Sequence, residues 1–74
     1  MKMTLQQIIE KEQSKRTEGG AFGITACKEC IKMEVELFGK SLFTQLEEFV
    51  KRANEDVFFN RAMVLACWEL INEK

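Results

Sequence analysis

Proline is absent from this 74-residue chain, and so are histidine and tyrosine. With no proline, no residue locks φ or removes an amide donor inside a helix. With no histidine, the side chain that most often moves protons near neutrality is missing, and a structural zinc site loses its usual nitrogen ligand. Glycine is scarce: four in all, three of them inside residues 17–25. Charge of one sign dominates nowhere. Eleven Lys and Arg against twelve Asp and Glu give a formal net charge of −1, with both signs in both halves. No basic patch is present to neutralise a phosphate backbone, so nucleic acid is disfavoured as a partner. No apolar run reaches the length of a membrane span, and the first thirteen residues lack the apolar core of a signal peptide. Three cysteines, an odd number, fit a reducing compartment better than a disulfide framework. The expectation is a cytoplasmic protein with no membrane partner and no bound cofactor.

What the chain does have is apolar surface: 46% of its residues are hydrophobic. A chain of this length buries only about 60% of the surface it exposes when unfolded. So much apolar area in so little volume points to a homo-oligomer, a dimer first, or to an obligate protein partner. Helix formers dominate, and no two-residue alternation lasts a strand length. The expected fold is all-α: one domain over residues 1–74, a small bundle of three to four helices that self-associates through the last of them.

The stretch that demands most cover is 57–71, VFFNRAMVLACWELI. Wound at about 100° per residue, its apolar side chains point in nearly every direction. A helix apolar all round is buried all round. The other segments must supply that cover. Thr4 with Gln7 forms a capping box for a thin first helix, 4–16, whose apolar stripe is Leu5, Ile8 and Ile9. The glycine-rich loop 17–25 follows, with Thr25 as the cap of a second helix, 26–38, ending at Gly39 as a left-handed C′ residue. That helix carries Lys28, Glu29, Lys32 and Glu36 on its polar arc. Its apolar arc holds Ala26, Cys27, Cys30, Ile31, Met33, Leu37 and Phe38, with Glu34 anomalously near the middle. A third helix, 41–53, starts at Ser41 or Thr44. It has a clean stripe of Leu42, Phe43, Leu46, Phe49, Val50 and Ala53, with Gln45 among the residues facing water. Asn54-Glu55-Asp56 reads as a break and a new cap, giving a fourth helix over 55–72. The alternative is one unbroken helix about 45 Å long, which would need a partner chain along it.

Several motifs carry chemistry elsewhere. Cys27-Lys28-Glu29-Cys30 is a CxxC, but a zinc site wants about four ligands and only Cys67 and Glu34 remain to complete one; the expectation is buried structural thiols and no metal. Gly39-Lys40-Ser41 lacks the earlier glycine of a phosphate-binding loop, since that position is Glu34. Gly39-Lys40-Ser41-Leu42 resembles the carrier-serine turn of acyl carrier proteins over those four residues alone. Lys40 stands where the family has aspartate, and a helix stands where the family has its long first loop. A helix-turn-helix centred on Gly39 would place Gln45 at a core position. Lys15, Arg16, Gly19, Gly20 and Thr25 could together hold an anion ahead of a helix N-terminus, a small anionic ligand or nucleotide being the second functional reading. Glu34 needs an answer because an unpaired buried carboxylate is costly, and Arg61, inside the apolar fourth helix, is its expected partner. No catalytic set emerges, so no enzyme is expected. The leading expectation is a small intracellular protein-binding module, of adaptor or inhibitor type. It would act as a homo-oligomer through Phe58, Phe59, Met63, Trp68 and Ile71, residue types that interfaces concentrate.

Overall fold

The computed structural model describes residues 2–15 and 23–73. Four α-helices follow in order: α1 Leu5–Lys15, α2 Ile24–Phe38, α3 Leu42–Glu55 and α4 Ala62–Asn72, with no strand among the described residues. The architecture is an all-α small bundle.

α4 is the hub. It packs on α1, α2 and α3, whereas those three make little contact with one another. Val64, Leu65, Ala66 and Cys67, four consecutive residues, are all fully buried. At about 100° per residue they sweep most of a full turn, so the helix is covered on all sides there. Cover comes from Ile8 and Ile9 of α1, Ile24, Cys27 and Ile31 of α2, and Leu46, Phe49 and Ala53 of α3. Each large aliphatic side chain removed from water in this way stabilises the fold by about 1.5–3 kcal/mol.

The helix ends follow local chemistry. At α1 the capping box forms as expected: the Thr4 amide donates to Gln7 Oε1 at 2.9 Å and the Gln7 amide to Thr4 Oγ1 at 3.2 Å. α2 begins two residues earlier than expected, at Ile24. Gly23, with φ +99°, stands at its N-cap, and Thr25 lies inside the helix rather than capping it. Gly39 closes α2 at φ +68° and donates its amide to Val35 O, a left-handed C-terminal residue as its position implies. Ser41 caps α3 by accepting from the Thr44 amide at 3.1 Å.

The chain does break between α3 and α4, but not where the acidic triplet suggested. α3 runs on to Glu55, and α4 starts only at Ala62, so residues 55–61 are not the first two turns of a fourth helix. Side-chain hydrogen bonds hold the connection. Asp56 Oδ1 accepts from the Phe58 amide at 2.9 Å, and Asn60 Oδ1 accepts from the Ala62 amide at 3.0 Å. Such local bonds offer the backbone an alternative to helix, which is why Asp and Asn favour turns. Asn54, expected to cap α4, lies in α3 and does other work. Its Oδ1 accepts from the Met3 amide, and its Nδ2 donates to Met3 O at 3.0 Å, tying the segment ahead of α1 to α3. The long unbroken helix is excluded: the molecule measures 31 × 27 × 22 Å.

Candidate functional site

Among the described residues, two apolar surfaces remain open once the core has formed. The first is on α2. Ile24, Cys27 and Ile31 face the core, while Met33 and Leu37 are 57% and 70% exposed, and Ala26 and Cys30 are exposed as well. Ala26, Cys30, Met33 and Leu37 repeat at spacings of four, three and four, one stripe on a helix. The wide apolar arc read from the sequence is therefore two arcs whose middles lie about 120° apart, at about 100° per residue. Glu34 falls between them, about 70° from the middle of the outer arc and about 50° from that of the inner one. It is half-buried and needs no buried partner. Phe38 and Phe43, 72% and 66% exposed, stand on either side of the short 39–41 connection.

The second surface is the α3–α4 connection, where Val57 is 80% and Phe58 92% exposed. Turns rarely carry two large apolar side chains, because Gly, Asn, Asp and Ser serve the backbone better. Here Asp56 and Asn60 fix the backbone, which leaves Val57 and Phe58 free to project. Phe59, next to them, turns inward. Its ring lies 5.8 Å from that of Phe49, and the Arg52 guanidinium sits over it at 4.7 Å.

Of the five residues expected to form an interface, Phe58 is exposed, and Phe59, Met63, Trp68 and Ile71 are half-buried. α4 offers no continuous open face. Val64 and Cys67 lie on the same arc as Met63, Trp68 and Ile71 and are fully buried. The surplus apolar surface belongs to α2 and to the turn before α4. The i, i+4, i+7, i+11 stripe on α2 was visible in the sequence, but it merged with the inward stripe because the two share the same helix.

Glu34 and Arg61 do not pair. Arg61 belongs to the connection before α4, and its Nη2 donates to Ala53 O at 3.4 Å, in the last turns of α3. A cation there meets the negative end of the helix dipole. Its Nε is buried without a partner. Gln45 also departs from expectation. It is 1% exposed, and neither its carbonyl nor its amino group has a hydrogen-bond partner. Its place three residues after Leu42 and four before Phe49 puts it on the apolar stripe. A third polar residue sits inward on α1: Glu12, four after Ile8, is buried and paired with Lys15 at 3.0 Å.

The anion-binding reading draws on residues 15–25. Arg16, Gly19 and Gly20 lie outside the described residues. Lys15 is committed to Glu12, and Thr25 is exposed in the first turn of α2. The three thiols are free. Cys27 and Cys67 are buried, and Cys67 donates to Leu42 O at 3.2 Å. Burial pushes the Cys67 thiol up to about 11; burial, then the neighbouring Cys30, raises that of Cys27. Neither has the thiolate character of a redox cysteine. No group of three or more metal-ligating side chains comes together among the described residues. Nor is any helix there long and apolar enough to cross a membrane. A polar cluster does tie α2 to α4: Lys28 bonds Glu73 and lies 3.0 Å from Glu69. These bonds, the one to Glu73 first, raise the Lys28 ammonium above its usual value, and Lys28 holds the Glu73 carboxyl below its own.

Against this geometry, no family model, curated protein or solved structure matches the chain.

Proposed function

We propose that this chain is a protein-binding module that works inside the cell and associates with copies of itself through the Val57–Phe58 turn. The observation that carries the reading is the exposure of Phe58, 92%, at the tip of a turn whose backbone other side chains already hold. A phenylalanine in water at that position contributes nothing to the fold of one copy. Buried against a second copy it stabilises by about 2–3 kcal/mol. Phe59 and Met63, next in sequence, are half-buried against the core, so Val57 and Phe58 make up the open patch. A patch of this size sits at the small, transient end of protein interfaces. Three unpaired thiols fit a reducing compartment. The role is one of binding, of adaptor or inhibitor type, and catalysis has no part in it.

The test is the molar mass of the wild type beside Val57→Ser/Phe58→Ser at equal concentration. The reading requires the double variant to stay folded and to be the lighter species. Equal masses for the two would remove the turn from the interface.

A further inference from the structure

The stripe Ala26, Cys30, Met33 and Leu37 is open along about 16 Å of α2, at 1.5 Å per residue. It is flanked by acid. At about 100° per residue, Glu29 and Glu36 lie about 70–90° to one side of the stripe and Glu34 about 70° to the other. No lysine or arginine of α2 lies within that arc. Lys28 points to the opposite side, toward Glu69 and Glu73. Lys32 lies beyond Glu29 and reaches it at 3.8 Å. On the far side of Glu36 from the stripe, a depression of about 300 Å³ is lined by Lys32, Val35, Glu36, Leu42 and Leu70.

The spacing four, three, four is that of the seam of a two-helix coil, and Glu29, Glu34 and Glu36 then occupy the positions that flank the seam. A second copy of α2 would bring acids against acids whether it ran parallel or antiparallel, which disfavours self-pairing on this face. An anionic membrane surface is disfavoured for the same reason. We propose that the outer face of α2 binds an amphipathic helix of another protein whose apolar stripe is bordered by Lys or Arg. The proposal rests on the protein-binding reading and adds a second surface to it, with partner chemistry set by charge. Leu37, Met33 and Cys30 would supply the apolar contact, with Glu29, Glu34 and Glu36 choosing the partner.

The experiment uses two synthetic 18-residue helical peptides with the same leucine stripe, one flanked by lysine and one by glutamate. Binding to the full chain is followed by fluorescence anisotropy and by the alkylation rate of Cys30, which is exposed while Cys27 and Cys67 are buried. The lysine peptide should bind at least about tenfold more tightly than the glutamate peptide, weaken with added salt, and slow Cys30 alkylation. Leu37→Ser should weaken it by about tenfold or more, and Glu29→Lys/Glu36→Lys should reverse the preference between the peptides. Equal binding of both peptides, no binding of either, or binding indifferent to Leu37→Ser would each overturn the proposal. So would a self-association abolished by Leu37→Ser and not by Phe58→Ser, since a second copy would then cover the stripe. A failed peptide titration with a molar mass that still responds to Phe58→Ser would sink this proposal alone. Failure of both would sink the protein-binding reading as well.

Discussion

Gln45 shows where the pattern of a sequence and the fold part company. Its side chain is polar, so it reads as solvent-facing, yet its register on α3 places it among Leu42, Leu46 and Phe49. Helical position decides direction, and the polar group is carried inward with both hydrogen-bonding ends unpartnered. A buried amide left unpaired costs about 1–3 kcal/mol. Gln45→Leu, close in volume, should therefore raise the melting temperature in a thermal scan, while Gln45→Asn should not. Glu34 illustrates the converse. The sequence marked it as an anomaly needing a cation, but the anomaly came from merging two apolar arcs, and the acid sits between them. The thiols add a pH dependence. The Cys67 thiol lies at about 11 in the fold against 9.0 when unfolded. Below pH 9 both states keep the proton and the stability is fully present. As pH rises from 9 toward 11 the unfolded chain loses the proton first, and stability falls by up to about 2–3 kcal/mol. Cys27 and Lys28, both raised, act in the same direction. Urea midpoints measured from pH 8 to 11 should decline, and Cys67→Ala should flatten the decline.

Among the helices, existence and order were legible in the sequence because each has its own stripe and its own punctuation. Thr4 with Gln7, Ser41 and Gly39 mark ends that the structure keeps. The start of α4 was not legible. Residues 54–61 contain three consecutive apolar side chains, Val57, Phe58 and Phe59, and no glycine or proline, so nothing in propensity forbids a helix there. Asp56 and Asn60 defeat it by bonding the backbone of the turn, a choice visible only when their partners are in place. The thin first helix is also better held than its three apolar residues suggest, since Asn54 pins the chain at Met3. The central place of α4 was legible: a run apolar on every side has to be surrounded, and Val64 to Cys67 are. Leu65→Ala should cost about 2–5 kcal/mol in chemical denaturation, whereas Val57→Ala, equally apolar and exposed, should cost under about 0.5 kcal/mol at concentrations where the chain is monomeric.

For the molecule as a whole, the surplus of apolar residues that composition announces is placed in two surfaces with different surroundings. The stripe on α2 is bordered by acids. The turn at Val57–Phe58 follows the exposed acids Glu55 and Asp56, while Arg61 after it turns back to Ala53 O. α4, expected to be core and interface together, is mainly core, and the exposed part of the stretch around it is the turn that precedes it. The composition could state that apolar surface would be left over. It could not say where, because that depends on which of the two faces of α2 meets α4. The claim that ties the fold to a role is that one copy leaves this surface unfinished, and light scattering over a concentration series tests it most directly. The mass should rise from 8.6 kDa toward twice that value as protein is concentrated through the range from about 1 μM to 1 mM, a span suited to a weak interface. A folded chain that holds 8.6 kDa across the whole series would contradict it.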